Sequence, residues 1–288
     1  MQYSFLLTVN TILLFRAVTL LENNIFEQHI VNNKMLPFIF HLDRVENAFF
    51  SSSLNWHANI EILYCVSGEG AVFCGQRRCE FTPGTVVIAN SYVIHNIVSE
   101  TGVRYYCLIP DKDFCRENGV PAESLHFSEI ITDREIADKF LAIVDAFATN
   151  VKCPSRTAEI RCAVLGLLAA LYKNHAVSQE EVNVPDDYNA ERIKNAVRYI
   201  RQNYTEKITL DGLAEHCGVS KYHLARQFKK YAGQTIFEHI NSVRCKEAKK
   251  LIDGGSSVYA AAVTCGFENM SYFSRTYKKY IGTLPSKG

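Results

Sequence analysis

One short unit of basic and aromatic residues occurs twice near the C-terminus of this 288-residue chain. Arg226-Gln-Phe-Lys-Lys-Tyr231 recurs as Arg275-Thr-Tyr-Lys-Lys-Tyr280, and each copy follows a Cys-Gly pair. Arginine can bond two acceptors of guanine, and lysines one turn later can contact phosphates. A Lys-Lys pair alone is usually only a solvated helix face. Its duplication after a glycine turn favours double-stranded DNA as the partner.

The residues around the first unit provide the parts of a helix-turn-helix. Thr209 and Ser220 are typical N-cap residues, and Gly218 between them permits the positive φ of a tight turn. The second helix is predicted over 221–232, and Gly233 ends it.

The second unit repeats this arrangement. It predicts a helix over 258–265, a turn at Gly266 and a helix over 269–280. A longer helix over 235–252, with Phe237 on its inner stripe, joins the two modules. We expect DNA contacts where each second helix begins and along its outer face. The predicted residues are Ser220, Lys221, Tyr222, His223, Arg226, Gln227, Lys229 and Lys230 in the first copy, and Asn269, Met270, Ser271, Ser274, Arg275, Lys278 and Lys279 in the second.

Residues 36–110 have the pattern of many short strands. Runs rich in Val, Ile, Phe and Tyr alternate with glycine turns, which predicts a small β-barrel or jelly roll. Two amphipathic helices follow over 133–150 and 155–175, the first with a capping box from Thr132 and Glu135. Their apolar stripes must be buried on the barrel or on another subunit. We expect a second subunit, and hence a homodimer.

The expected fold class is therefore α+β with two domains, an N-terminal β-barrel with a helical hairpin and a C-terminal all-α double helix-turn-helix. The predicted divisions are an N-terminal extension at 1–35, a ligand-sensing and dimerisation domain at 36–176, a linker at 177–189 and a DNA-binding domain at 190–288. Charge supports the division, because 186–288 carry 17 basic and 10 acidic residues. A basic domain beside an acidic body is expected when one domain meets a polyanion.

Composition indicates the cellular compartment of the protein. The ten cysteines form no C-x-x-C pair, which is typical of reduced thiols in the cytoplasm. Residues 5–21 are strongly apolar but lack the features of a signal peptide, and Asn10 and Arg16 interrupt a membrane span. We expect this segment to pack on the first domain. A membrane anchor and an extension ahead of a start at Met35 are the alternatives.

Residues 193–285 resemble the DNA-binding domain of the AraC/XylS family of bacterial regulators. The resemblance rests on 208–230, 244–251, 265–267 and 271–285. It implies seven helices and two recognition helices, which enter successive major grooves about 34 Å apart. The implied base-contacting positions are Tyr222, Ala225, Arg226, Met270, Ser271, Ser274 and Arg275. Ala261 replaces the family's usual isoleucine, so we expect looser packing in the second module.

The segment from 55 to 95 resembles the cupin-type sensor domain that often accompanies this DNA-binding domain. The resemblance is carried by Asn55-Trp-His57, Glu61-Ile-Leu-Tyr, Gly68-Glu-Gly70, Pro83-Gly84 and His95. It implies a ligand site made of Asn55, Trp56, His57, Glu61 and His95. We expect it to hold a small polar effector, for example a sugar, without a metal or other cofactor.

Two alternatives to a polar effector exist for that site, a bound metal and a purely structural role. In metal-binding cupins the position of Asn55 is a histidine, but His57, Glu61 and His95 are still metal candidates, because two imidazoles and a carboxylate can hold a divalent transition metal. A His57–Glu61 pair could instead only satisfy polar groups in the barrel.

Together these patterns predict a cytoplasmic, ligand-responsive transcription regulator that is not an enzyme. We expect an activator of a carbohydrate or small-metabolite operon, with RNA polymerase as a further partner and no membrane partner. The alternatives are a metal-dependent cupin enzyme fused to a DNA-binding domain, and a ligand-blind regulator whose barrel only supports dimerisation.

Overall fold

The computed structural model describes residues 33, 35–45, 54–148, 155–177 and 187–285. The apolar segment 5–21, nearly all of the predicted extension and most of the predicted linker lie outside these residues. Within them, no helix combines the length and the apolar character that crossing a membrane requires.

The N-terminal domain is built on two antiparallel sheets. One has the strand order β1-β7-β2-β5-β9, the other has the order β4-β3-β6, and β10 pairs with β8. The strands are β1 (Phe38–Val45), β2 (Glu61–Gly68), β3 (Gly70–Cys74), β4 (Arg77–Phe81), β5 (Val86–Ala89), β6 (His95–Val98), β7 (Val103–Pro110), β8 (His126–Phe127), β9 (Ile130–Ile131) and β10 (Ala176–Val177).

Alternation along the strands of the larger sheet divides its side chains between two cores. Leu63 and Cys107 lie opposite each other on β2 and β7 and pack in the core between the two sheets. Their neighbours Ile62 and Leu108 point to the other face and pack under helices. A period of two is what a strand imposes on its side chains, and here both faces are apolar because both are covered.

Three helices complete this domain, α1 (Lys112–Glu117), α2 (Arg134–Ala148) and α3 (Arg156–His175). The apolar stripes of α2 and α3, including Phe140 and Leu167, are buried against the outer face of the larger sheet. The expectation that a second subunit covers these stripes is therefore wrong. The N-cap of α2 also differs, because the Asp133 carboxylate, not Thr132, accepts the Glu135 backbone N–H at 2.9 Å.

The C-terminal domain is all-helical and follows the two-module plan. Its helices are α4 (Asp187–Asn203), α5 (Leu210–His216), α6 (Lys221–Ala232), α7 (Ile236–Asp253), α8 (Val258–Thr264) and α9 (Met270–Ile281). These are six helices within 187–285, where the family resemblance implies seven. Phe237 is exposed on α7, contrary to its predicted inward position, and its neighbour Ile236 is buried in its place.

Local signals in the sequence are confirmed at the first module. Thr209 caps α5 by accepting the Gly212 N–H, and Ser220 caps α6 by accepting the His223 N–H. Gly218 and Gly233 have φ of 65° and 66°, the left-handed region that a residue with a Cβ rarely adopts.

The two modules are tied together by a contact away from their second helices. Arg244 of α7 donates to the carbonyl oxygens of Tyr204 and Glu206, both at 2.7 Å, in the connection between α4 and α5. Gly266, in the turn of the second module, packs on the same connection, since an added Cβ would lie 2.5 Å from the Thr205 carbonyl oxygen. The turn of the second module is therefore fixed to the first module.

Candidate DNA interface and effector site

The N-terminal half of α6 presents a polar surface to solvent. Tyr222 is 79% exposed, and Arg226, one helical turn later, is also exposed. Lys229 and Lys230 follow on the exposed surface. This order places a planar guanidinium near the start of the helix and ammonium groups behind it, as base reading and phosphate positioning require.

Two predicted contacts on the first module already have partners within the protein, and a third is buried. The Gln227 side chain is buried, only 8% exposed, so its predicted outward position is wrong. His223 is hydrogen-bonded to the Asn189 amide oxygen at 3.0 Å, and Lys221 pairs with Asp211 at 2.9 Å. Gln227 lies one position after Arg226, so the helical rotation of 100° per residue turns it into the core.

The second module presents a similar surface on α9. Ser271, Arg275 and Lys278 are exposed, whereas Met270 and Ser274 are half-buried. Asn269 acts as the N-cap, because its side-chain oxygen accepts the Tyr272 N–H at 2.9 Å. The ammonium of the half-buried Lys279 lies 5.6 Å from the Tyr280 ring centroid.

The barrel brings three of the five predicted ligand residues together. His57 precedes β2, Glu61 begins β2, and His95 begins β6 on the opposite sheet. Both imidazole Nε2 atoms lie 3.1 Å from the same carboxylate oxygen, Glu61 Oε2. The two histidines are 1% and 5% exposed, so this acceptor cluster of His57, Glu61 and His95 is buried inside the domain.

Backbone carbonyls fix the orientation of both rings. The His57 Nδ1–H donates to the Asn59 carbonyl at 2.8 Å, and the His95 Nδ1–H donates to the Val93 carbonyl at 2.9 Å. A neutral imidazole has one N–H, so each Nε2 is then a bare acceptor pointing at Glu61. Three acceptors therefore converge at one point, where protons, a cation or hydrogen-bond donors of a ligand would stabilise them.

The Glu61 carboxylate is stabilised in its charged form. Burial by itself would raise the pKa of Glu61, but when protons occupy the two Nε2 atoms, His57 and His95 donate hydrogen bonds to this carboxylate and hold its pKa well below the usual range. The Cys107 thiol adds a further donor, 3.2 Å from Glu61 Oε1. Nothing in the sequence predicted this contact, because Cys107 stands in an apolar run and meets Glu61 only through the pairing of β7 with β2.

The other two predicted ligand residues face the DNA-binding domain. Trp56 is buried in a cluster with helices α4 to α7, so its predicted stacking on a ligand in the barrel is wrong. The Asn55 amide oxygen accepts a hydrogen bond from Arg201 of α4 at 2.9 Å. The backbone of Asn55 pairs with that of His95. Asn55 therefore lies beside the acceptor cluster but is directed away from it.

A cavity of about 420 Å³ opens at a different part of the barrel. Arg44 and Arg104, which lie opposite each other on β1 and β7, line it together with Ser67 and the backbone of Gly68. None of the five predicted ligand residues lines this cavity, so it is separate from the acceptor cluster.

Two family models match the chain. An AraC-like ligand-binding domain matches residues 39–171, and a helix-turn-helix domain matches residues 213–287. The first covers the barrel and both of its long helices, and the second covers most of the two modules.

Curated relatives match either the C-terminal third or most of the chain. The HTH-type transcriptional activator AarP of Providencia stuartii is 34% identical over 33% of this chain and 70% of its own length. The uncharacterized HTH-type transcriptional regulator YbfI of Bacillus subtilis is 25% identical over 76% of this chain and 80% of its own. The bifunctional transcriptional activator and DNA repair enzyme AdaA of B. subtilis is 42% identical, but the match spans 31% of this chain and 43% of AdaA.

Solved structures match over most of the chain at low similarity. ToxT from Vibrio cholerae O395 aligns with 87% of this chain and 96% of its own, with 15% sequence identity and a TM-score of 0.40.

Proposed function

Because this chain belongs to the AraC family of transcriptional regulators, we propose that it is a ligand-responsive regulator that binds DNA through α6 and α9. The observation that carries the proposal is the repeated exposed arginine, Arg226 and Arg275, on the second helix of each module. Each lies on the outer face of a helix that is capped at its start and anchored in its own core. Rigid presentation of a bidentate donor is what guanine recognition requires.

Removing either arginine tests this assignment. Binding sites are first selected from a random double-stranded DNA library with the wild-type chain, and Kd is then measured by gel shift. Arg226→Ala and Arg275→Ala should each weaken binding by about 5- to 150-fold, because a bidentate base contact contributes roughly 1–3 kcal/mol.

Arg192→Ala is the matched control, since Arg192 lies on α4 of the same domain with its guanidinium over the Tyr188 ring. It removes the same charge from a helix other than the two second helices and should change Kd little. The assignment fails if Arg226→Ala and Arg275→Ala both bind the selected sites as tightly as the wild-type chain does.

The acceptor cluster is the proposed effector site, and its chemistry indicates the effector class. Two bare imidazole nitrogens and a carboxylate oxygen are complementary to hydroxyl donors, so a sugar or another hydroxylated metabolite satisfies them. The effector would enter by displacing the close contacts within the cluster. Its binding would change DNA affinity through a difference in affinity for two arrangements of the chain.

Activation and dimerisation complete the proposal. AarP is named as a transcriptional activator, which supports activation by this chain. An activator acts on RNA polymerase, which is therefore the further partner in the proposal. Leu141 of α2 and Tyr172 of α3 remain exposed although the apolar stripes of both helices are buried, and they support a homodimer contact through these two helices.

A metal-dependent enzyme carrying a DNA-binding domain is the second candidate. The observation that favours it is that the ligand atoms of His57, Glu61 and His95 all lie within 4.8 Å of one another. These three residues would hold a divalent transition metal, which would act as a Lewis acid toward a bound substrate.

One set of variants distinguishes three functions of the barrel: effector sensing, metal-dependent catalysis and a ligand-blind scaffold. The double variant His57→Ala/His95→Ala should abolish the response of DNA affinity to a panel of sugars and metabolites. His126→Ala is the control, because His126 pairs with Glu129 at 3.2 Å outside the cluster. Stoichiometric metal in the wild type that only the double variant loses would favour the enzyme. Equal DNA affinity across the whole panel in the wild type would favour a scaffold.

A further inference from the structure

The barrel and the first helix-turn-helix module share a packed interface. Leu54 and Trp56, which stand just before His57 in the chain, lie in a cluster with Ile193, Val197 and other apolar side chains of α4 to α7. Leu54 is fully buried and Trp56 is 3% exposed. Burial to this extent is typical of a core, so the module is docked on the barrel and does not merely lie near it.

Two polar contacts fix the position of the docked module. Arg201 of α4 donates to the Leu54 carbonyl at 3.0 Å and to the Asn55 amide oxygen at 2.9 Å. On the other side, the Asn96 amide donates to the carbonyl of Ala232, the last residue of α6, at 2.9 Å. The second contact satisfies a helix-terminal carbonyl that has no partner within its own helix.

The hairpin between β3 and β4 supports the same end of α6. Gln76 donates to the Tyr231 hydroxyl at 3.2 Å, and Phe73 packs on Gly233, where an added Cβ would lie 2.4 Å from the ring. The exposed half of α6, with Tyr222 and Arg226, lies at the opposite end of the helix. Docking therefore leaves the DNA-reading surface accessible.

Each histidine of the acceptor cluster is linked to one of these contacts. Asn55 precedes His57 by two residues, and Asn96 follows His95 directly. The segments also pair with each other, because the Asn55 N–H donates to the His95 carbonyl at 3.1 Å and the His95 N–H donates to the Asn55 carbonyl at 2.9 Å. A shift of either histidine thus moves a residue that holds the DNA-binding domain.

We propose that Arg201, Asn55 and Asn96 are positioning residues that link occupancy of the acceptor cluster to docking of the first helix-turn-helix module. This inference rests on the proposed effector site and names the residues through which that site acts. Docking stabilises the backbone pairing of Asn55 with His95 and therefore keeps the acceptor cluster in its binding geometry. This preorganisation favours ligand binding. Linkage is reciprocal, so a ligand in the cluster strengthens docking by the same factor.

The chain contains a single tryptophan, and it lies in this interface. The emission of Trp56 in the 288-residue chain therefore reports docking directly. Arg201→Ala should shift the emission to the red and increase quenching by acrylamide. Arg198→Ala is the matched control, since Arg198 lies one turn earlier on α4 and bonds Asn195 rather than the barrel.

Cobalt(II) alone serves as the probe of the cluster, because its visible absorption reports coordination independently of Trp56. The wild-type chain should bind it saturably, and His57→Ala/His95→Ala should remove that binding. Arg201→Ala should weaken it at least about 5-fold, the lower end of typical coupling between sites, although Arg201 is not among the cluster residues. Arg198→Ala should leave the cobalt affinity unchanged.

The proposal is overturned if Arg201→Ala and wild type bind cobalt(II) equally, or if no saturable binding depends on His57 and His95. If Arg201→Ala does not fold by circular dichroism, Asn96→Ala removes the other contact and is judged by the same two measurements. Failure here would leave the DNA-binding assignment intact, because Arg226→Ala and Arg275→Ala test that assignment separately.

Discussion

His239 of α7 is a buried imidazole in the DNA-binding domain, and the charges that act on it from the described residues are positive. Its Nδ1 is within 3.3 Å of the Gln234 amide nitrogen, and its Nε2 lacks a hydrogen-bond partner among the described residues. Burial, together with the positive charges of Arg201 and Lys246, lowers the pKa of His239 to about 3. The ring is therefore neutral in the folded protein at any pH above this value.

This histidine makes the domain sensitive to acid. The unfolded chain takes up the proton near pH 6.5, whereas the folded chain does not until about pH 3, so stability falls as pH falls between these values. His239→Gln should reduce the loss of unfolding free energy between pH 7 and pH 5 by about 2 kcal/mol, measured by urea titration. The exposed His216→Gln should leave the loss unchanged, and an equal loss in His239→Gln and wild type would contradict the assignment.

At the scale of the element, α6 is divided between two tasks. Its first half presents Tyr222 and Arg226 to solvent, and its last turn is packed against the barrel through Tyr231 and Ala232. The sequence predicted the helix and both of its ends. It could not predict the docked end, because Tyr231 and Ala232 pack against residues that lie more than 130 positions earlier in the chain.

The lysine pair between these halves should act on phosphates rather than on bases. Lys229→Ala/Lys230→Ala is expected to weaken binding of selected and unrelated DNA alike and to reduce the slope of log Kd against log salt by about 2. Gel shifts at several salt concentrations measure both effects. Lys249→Ala/Lys250→Ala on α7 is the control, since these lysines pair with Asp253 and Glu247. A loss confined to the selected site would show that the pair reads bases.

At the scale of the whole molecule, the two-domain α+β plan follows from patterns that act over short distances. Alternating apolar residues, glycine turns and N-caps encode single strands and helices, and the duplicated unit encodes the double module. The cluster of His57, Glu61 and His95 was identified by resemblance, and the structure brings the three residues together. The role of Asn55 was assigned wrongly because its side chain bonds Arg201, which lies 146 positions later in the chain. The role of Trp56 was assigned wrongly because Trp56 and His57 are adjacent residues of an extended segment and point to opposite sides. Here one side is the barrel and the other is the DNA-binding domain.

The contact of Arg244 and Gly266 with the connection between α4 and α5 has a consequence for the genes this regulator can control. Because these contacts hold the second module on the first, they oppose a change in the separation of the two reading helices. Inserting one base pair between the half-sites would rotate one half-site by about 35° around the duplex axis. Operators should therefore vary in base sequence within each half-site but keep a constant spacing between the half-sites, and a genome search can use that spacing as a filter.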